Sequence, residues 1–228
     1  MVAFDPRPLD EVRERVAGAC RPAGRDPGEV VVIAVTKGVP PAVVAAAAAS
    51  GLEDFGENYV QELEEKRKVA ACRWHFVGRL QRNKVHRVVR AVDLIHSVEP
   101  GSAARRLAGV APERTVRCLV QVDFEGSRVG ASPEGLERFV DEVAGPLDVR
   151  GLMTVPPLGQ DPRPHFARLR ELRDRLRGSH PDLLELSMGM SADYEDAVRE
   201  GATMVRIGTA IFGPRPGADH RPPRAGKP

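Results

Sequence analysis

A lysine at the end of an apolar run is the first residue in this sequence whose type and position suggest chemistry. Lys37 follows the run VVVIAVT, and with a period of two Ile33, Val35 and Lys37 share one face. In a barrel of strands one such face points inward. Desolvation there favours the neutral form of an amine, which is the form that attacks an aldehyde. The same spacing also fits a lysine that emerges into solvent or joins an ion pair.

A second group of candidates lies near the end of the sequence, in LSMGMSADYEDAVREGATMVRIGTAIFG. Ser191 can offer a hydroxyl group at a helix start, and Gly208 and Thr209 can offer backbone N–H groups to phosphate oxygens. Loops after the seventh and eighth strands of an α/β barrel are its usual phosphate site. The alternative is that Ser191 is only an N-cap and Gly208 only a turn residue.

Two further polar residues share the expected mouth of the barrel. Arg206 has the strand parity of Met204 and Gly208, so we expect it to point inward, where an unpaired cation is costly. It needs a ligand or a barrel carboxylate, and beside a pyridine ring it would donate to the ring nitrogen without protonating it. Asn58 follows a short strand and could reach a ring hydroxyl group or act as an N-cap.

The elements that must position these residues alternate between strand and helix. Between the strands lie segments of helical period, and a further helix, Leu9–Cys20, precedes the first strand. Eight such units predict a parallel sheet closed into a (β/α)8 TIM-type barrel. An open doubly wound sheet is the alternative, but its usual GxGxxG turn is absent. The predicted strands are Val30–Thr36, Asp54–Gly56, Trp74–Val77, Leu94–Ser97, Val116–Val122, Val149–Met153, Leu184–Met188 and Met204–Ile207.

The ends of the elements carry their own signals. Pro133 fits the first turn of a helix, and Ser132 and Ser191 fit N-caps. No helix is expected after the eighth strand. Residues 1–213 are predicted to form one domain, and residues 214–228, rich in Pro, Gly and Arg, a disordered tail.

Composition excludes several classes of protein. A formal net charge of +2 and a pI near 8.6 give no strong basic field for nucleic acid. A basic segment exists, but it lacks interleaved aromatic residues, so a solvated helix face is the better interpretation. Three scattered cysteines predict neither a disulfide framework nor a zinc site. With no signal peptide and no membrane span in the sequence, we expect a cytoplasmic protein. The basic segment comprises Arg79, Arg82, Lys84, His86, Arg87 and Arg90.

At this point the chain resembles a known family. The runs VIAVTKGVP, FGENYVQE, WHFVGRLQRNK, GLMTVPP and LSMGMSADYEDAVREGATMVRIGTAIFG are together similar to the pyridoxal-phosphate homeostasis proteins, single-domain relatives of the N-terminal barrel of alanine racemase. The resemblance runs from about Asp10 to Gly213. It implies pyridoxal 5′-phosphate (PLP) held as a Schiff base (a covalent aldimine) on Lys37, phosphate contacts from Ser191, Gly208 and Thr209, and Arg206 at the pyridine nitrogen. The family's frequent S-K-T-K-P and L-Q-S-N-K read TKGVP and LQRNK here.

The resemblance implies a PLP-binding and delivery protein without robust catalysis, and leaves the receiving apoenzymes and a monomeric or weakly dimeric state open. The alternative is a racemase-like PLP enzyme, which needs a base on each face of the substrate Cα. Lys37 can be one base, but alanine racemase takes the other from a C-terminal domain that this sequence does not show. Tyr59 and Tyr194 are expected at helix starts. A Schiff-base aldolase, a third class, would be colourless.

Overall fold

The computed structural model describes residues 4–110, 115–126 and 129–214, and these form a closed barrel of eight parallel strands in sequential order. The TIM-type fold predicted from the sequence is therefore confirmed. The strands are β1 Val31–Val35, β2 Asp54–Glu57, β3 Arg73–Phe76, β4 Leu94–Val98, β5 Arg117–Gln121, β6 Asp148–Met153, β7 Glu185–Met190 and β8 Met204–Ile207.

Nine helices are described on the outside of this barrel. The extra N-terminal helix is present as α1; it packs against α8 and α9, and Leu9, Val12 and Val16 are among its buried residues. Burying side chains of this size contributes ~1.5–3 kcal/mol each, which explains why the helix docks. The helices are α1 Arg7–Cys20, α2 Pro41–Ala49, α3 Val60–Lys66, α4 Val85–Val89, α5 Ser102–Val110, α6 Leu136–Ala144, α7 Arg163–Leu176, α8 Tyr194–Arg199 and α9 Thr209–Phe212.

The register of the strands decides which side chains enter the barrel. Ile33 of β1 lies opposite Arg206 of β8, and Gly56 of β2 lies opposite His75 of β3. Alternate residues of each strand fill the barrel interior. Ile33, Leu94, Leu119, Met153 and Met204 form a small apolar cluster separate from the main core. Buried polar residues of the strands include His75, His96, Ser187 and Arg206.

Three expectations about element ends were wrong. The eighth strand is followed by a helix, α9. Ser132 and Pro133 precede α6 without starting it: the Gly135 amide donates to the Ser132 carbonyl at 3.1 Å and to the Ser132 hydroxyl at 3.2 Å, which closes a separate turn, and α6 begins only after Gly135. Ser191 is not an N-cap either. The chain turns at residues 190–193, with the Asp193 carboxylate accepting from the Met190 amide at 2.6 Å, so α8 begins only after Asp193.

The remaining expectations concern segments and cysteines. The predicted tail at 214–228 lies outside the described residues except for Pro214. Cys20, Cys72 and Cys118 are free thiols. Within the described ranges, no helix combines the length and the apolarity needed to cross a membrane.

Candidate functional site at the carboxyl ends of the strands

Lys37 lies in a tight turn at the carboxyl end of β1. The Val39 amide donates to the Thr36 carbonyl at 2.8 Å. Gly38 has a φ of +74°, a backbone conformation that residues with a Cβ rarely adopt. Lys37 is half-buried, and its Nζ lies 5.5 Å from the centroid of the Tyr59 ring. Among the described residues, this amine has no hydrogen-bond acceptor and no carboxylate partner. It is therefore left available, unlike a structural ion-pair lysine.

A buried ion cluster holds the turn that carries Lys37. Lys66 of α3 is 2% exposed, and its Nζ donates to the Thr36 carbonyl at 2.7 Å. The same ammonium contacts Glu57 Oε1 at 2.5 Å and Glu62 Oε2 at 2.6 Å. Glu62 also accepts from the Gly38 amide at 2.8 Å. The residues on both sides of Lys37 are thus fixed by one charged cluster.

The electrostatics of this cluster follow from its hydrogen bonds. Burial alone would raise the pKa of Glu62, but donation from Lys66 and Gly38 outweighs it and holds that pKa below the usual range. Sequence reasoning missed the cluster. The available signal was an acid at the end of β2, Glu57, together with the i,i+4 spacing of Glu62 and Lys66.

Asn58 follows directly after Glu57 and faces the same end of the barrel. Its amide donates to Glu57 Oε2 at 2.8 Å, and Tyr59 rather than Asn58 is the residue that precedes α3. A Cβ at Gly78 would lie 2.3 Å from the Asn58 carbonyl oxygen, so the loop after β3 packs tightly against this backbone. The Asn58 side chain has no partner among the described residues.

Arg206 is buried in the barrel interior, with 6% of its surface exposed. Its Nη1 donates to Ser187 Oγ at 2.7 Å and its Nη2 to the Thr154 carbonyl at 3.0 Å. Burial lowers the pKa of Arg206 to about 10, opposed by the negative Asp193, so the guanidinium stays charged at neutral pH. No carboxylate in the described ranges forms an ion pair with it. The expected alternative of a barrel carboxylate partner is wrong, and part of the fork remains available to a ligand.

The loops after β7 and β8 approach each other. Ser191 Oγ accepts a hydrogen bond from the Ala210 amide at 3.3 Å, which joins the two loops. Gly189 has a φ of +92°, and a Cβ there would lie 2.6 Å from the Ala197 Cβ. A Cβ at Gly208 would lie 3.2 Å from the Val35 carbonyl oxygen, so β8 ends close against β1. Thr209, exposed, starts α9.

The six residues singled out from the sequence thus lie on one arc of four neighbouring strands, β7, β8, β1 and β2. Lys37 and Asn58 follow β1 and β2, whereas Ser191, Gly208 and Thr209 follow β7 and β8. Arg206 lies within β8, one strand away from the lysine turn. The arc offers an uncommitted amine, a buried guanidinium, the Ser191 hydroxyl after β7, and Gly208 with Thr209 at the start of α9.

Comparison with known proteins identifies the family. Residues 9–216 match the model of the alanine racemase N-terminal domain. The chain is 43% identical over 221 residues to the pyridoxal phosphate homeostasis protein of Pseudomonas aeruginosa, covering 91% of this chain and 94% of that protein. The corresponding protein of Aquifex aeolicus is 40% identical over 220 residues, covering 91% of this chain and 96% of the relative. The chain belongs to the pyridoxal phosphate homeostasis protein family.

Solved structures agree with this family assignment. PipY of Synechococcus elongatus PCC7942, solved with PLP bound, matches at a TM-score of 0.78 and 36% identity, over 89% of this chain and all of PipY. Alanine racemase from Corynebacterium glutamicum matches at a TM-score of 0.69 and 18% identity, over 96% of this chain and 64% of the racemase. The homeostasis protein and the racemase therefore share the barrel fold.

Proposed function

We propose that this pyridoxal phosphate homeostasis protein binds PLP as a Schiff base on Lys37 and takes part in cytoplasmic PLP storage and delivery, without robust catalysis. One observation carries the proposal: the uncommitted amine of Lys37 lies one strand away from Arg206, a buried cation without a carboxylate partner among the described residues. PLP-dependent apoenzymes are the proposed recipients, and the proposed state is a monomer or weak dimer.

The residues of the arc fit the chemistry of PLP. PLP supplies an aldehyde that condenses with a primary amine, a phosphate dianion, and a pyridine ring that can withdraw electrons. Lys37 offers the amine, and its turn is held by Glu57, Glu62 and Lys66. Asn58 offers an unpartnered amide for the ring hydroxyl group. PipY, a relative solved with PLP bound, supports PLP as the ligand of this protein.

The loops after β7 and β8 would hold the phosphate. The hydroxyl groups of Ser191 and Thr209 and the backbone at Gly208 can donate to phosphate oxygens, and each such bond to a charged group contributes ~1.5–3 kcal/mol. Glycine is needed at 189 and 208 because the backbone there lies close to its neighbours: a Cβ at 189 would collide with Ala197, and a Cβ at 208 would crowd the Val35 carbonyl.

The chemistry of the Arg206 guanidinium favours PLP storage over catalysis. An arginine donates only, and at neutral pH it does not release its proton to a pyridine nitrogen. Its remaining N–H groups can hydrogen-bond that nitrogen and leave it unprotonated, which makes the ring a weak electron sink. Transamination in particular needs the ring to stabilise an extended carbanion, so the residue at this position favours binding over turnover in that reaction.

Reductive labelling tests the proposal. Purified protein supplied with PLP should be yellow, and borohydride should fix one phosphopyridoxyl group on the peptide that contains Lys37. Lys37→Ala should lose both colour and label, whereas Lys68→Ala, at an exposed lysine, should keep both. A label on Lys84 or another lysine, or no label at all, would sink the proposal.

Turnover distinguishes a carrier from an enzyme. We expect negligible D-alanine from L-alanine, because racemisation needs a general base on each face of the substrate Cα, each worth ~10²–10⁴-fold in rate, and Lys37 is the one such group identified in the described part of this site. Chiral chromatography of an overnight incubation provides the measurement. Steady production of D-alanine at ~1–10³ per second, abolished by Lys37→Ala, would establish a racemase instead.

A further inference from the structure

A chain of hydrogen-bonded side chains crosses the barrel interior and ends on Arg206. It begins at Asp54, which accepts from Arg73 Nε at 2.8 Å and lies 3.0 Å from His75 Nε2. His75 Nδ1 lies 3.0 Å from His96 Nε2, and His96 Nδ1 lies 2.8 Å from Ser187 Oγ. Ser187 in turn accepts from Arg206 Nη1 at 2.7 Å. The members come from β2, β3, β4, β7 and β8.

The two ends of this chain dictate the direction of every hydrogen bond when the histidines are neutral. Asp54, ionised and held by Arg73, only accepts, so His75 Nε2 carries the proton and His75 Nδ1 accepts. His96 must then donate from Nε2 and accept at Nδ1. Burial, reinforced by the neighbouring His75 ring and the Arg206 guanidinium, lowers the pKa of His96 well below its usual value, which agrees with a neutral His96 ring.

The same order is reached from the other end. The guanidinium of Arg206 can only donate hydrogen bonds, so Ser187 accepts from it. Ser187 then donates its own hydroxyl proton to His96 Nδ1. All bonds therefore run one way, from Arg206 through Ser187 and the histidines to Asp54. Each ring nitrogen of the two histidines has one partner, and the Ser187 hydroxyl accepts one hydrogen bond and donates one. A buried polar network in which every group has its partner is rigid.

Packing alone does not require this chain. Replacing a buried polar network by apolar side chains of similar volume is often neutral or stabilising, and the neighbouring part of the interior is already apolar. His96 is fully buried and Ser187 is too, so neither reaches solvent. The one member that faces the proposed cofactor is Arg206, and Ser187 is its only side-chain acceptor among the described residues.

We propose that His96 and His75 are positioning residues for the cofactor: acting through Ser187, they fix the guanidinium of Arg206 in the orientation that meets the cofactor's ring nitrogen. This inference rests on the proposed function. Neither histidine touches Arg206 directly, so each acts at a distance. Breaking the chain frees Arg206 to move away from the ring without removing Lys37 or the phosphate loops.

The test compares His96→Leu with His165→Leu, a buried histidine of α7 outside the chain. Both variants are loaded with PLP. One aliquot is reduced with borohydride to measure the label on Lys37, and a separate unreduced aliquot is titrated by near-visible absorbance. A cation held near the ring disfavours protonation there. His96→Leu should therefore shift the midpoint of the colour change upward by on the order of one pH unit, and His165→Leu should leave it unchanged.

Two further variants keep the test decisive. Ser187→Ala removes the link itself with little change in volume and should shift the midpoint in the same direction, even if His96→Leu fails to fold. His96→Gln, which retains one donor and one acceptor, should return the midpoint towards the wild-type value. A purely structural role would lower the thermal unfolding temperature and leave the colour midpoint in place.

The outcomes separate this inference from the proposed function. Labelled His96→Leu and Ser187→Ala proteins with the wild-type midpoint would overturn the positioning role alone. A wild-type protein that takes no label on Lys37 would overturn the proposed function, whatever the variants do.

Discussion

At the scale of single residues, Lys37 and Lys66 show how environment assigns different roles to the same side chain. The Lys66 ammonium has two carboxylates and a carbonyl as partners, all within 2.7 Å. Within the part of the chain that the structure describes, the Lys37 amine contacts the face of Tyr59 and has no hydrogen-bond acceptor. The Lys66 amine is therefore committed to its ion pairs, whereas no described carboxylate or carbonyl holds the Lys37 amine. Lys37 is therefore the amine free to react, although both lie near the same turn.

The residues proposed to hold the phosphate give the first prediction at this scale. Ser191→Ala combined with Thr209→Ala should raise the dissociation constant of PLP at least tenfold, because each lost bond to a charged group costs ~1.5–3 kcal/mol and ~1.4 kcal/mol is a factor of ten. Equilibrium dialysis of the loaded protein provides the measurement.

The control for this pair is Ser179→Ala, an exposed serine after α7, which should retain PLP like the wild type. Pyridoxal without its phosphate should bind the wild type poorly for the same reason. If the protein retains pyridoxal and PLP equally well, these loops do not anchor the cofactor.

At the scale of elements, α3 serves as a strut between β1 and β2. Its Lys66 reaches the Thr36 carbonyl at the end of β1 and Glu57 at the end of β2, and its Glu62 reaches the turn itself. One helix thereby holds the loop of Lys37 and the backbone of Asn58 together. The position of the reactive amine depends on this short helix as much as on the strand that precedes it.

Removal of the strut gives the second prediction. Lys66→Met should lower the free energy of unfolding by ~3–5 kcal/mol, because it leaves Glu57 buried without its cation. It should also reduce the fraction of Lys37 labelled in the protein that remains folded. Lys68→Met, two residues later and exposed, should change neither quantity. Chemical denaturation and borohydride labelling of the two variants side by side measure the effect, and equal stability would contradict the role assigned to α3.

Most elements could be predicted from the sequence, and their limits show why others could not. The apolar runs of a parallel barrel are buried on both faces, so each strand is visible as a run by itself. The starts of α6 and α8 were not predictable from Ser132 and Ser191. A turn closed between Ser132 and Gly135 precedes α6, and a turn closed between Met190 and Asp193 precedes α8; such turns are decided by the folded chain.

The candidate site was predictable to a similar depth. Lys37 and Arg206 could be found from the alternation of residues along their strands, and Ser191, Gly208 and Thr209 from the motif at the end of the sequence. The hydrogen bond between His96 and Ser187 joins residues 91 positions apart, and no local pattern reports it. The cluster of Glu57 and Lys66 likewise needed the neighbouring strand and helix to be placed first.

At the scale of the whole molecule, the proposed cofactor residues and a stabilising ion pair lie at opposite ends of the barrel. The proposed cofactor residues lie at or near the carboxyl ends of the strands, as is usual for this fold. Asp54 and Arg73 begin β2 and β3 at the opposite end, where Arg73 reaches the surface and pairs with Asp54 at 2.7 Å. The polar chain connects the two ends through the barrel interior.

The final prediction concerns acid stability and belongs to this opposite end. Burial alone would raise the pKa of Asp54, but hydrogen bonds from Arg73 and His75 outweigh it and lower the pKa from 3.8 to about 2. A depressed carboxyl pKa stabilises the folded state fully above the unfolded value of 3.8, and this contribution is lost as the pH falls through about 2. A shift of this size corresponds to ~2 kcal/mol. Asp54→Asn should therefore be less stable than the wild type by a constant gap above pH ~5, and the gap should narrow between pH ~4 and ~2. Thermal unfolding across this range measures the gap, with Asp174→Asn on the exposed side of α7 as the control. A gap as large at pH ~2 as at pH ~5 would show that the ionised form of Asp54 does not hold this end of the barrel together.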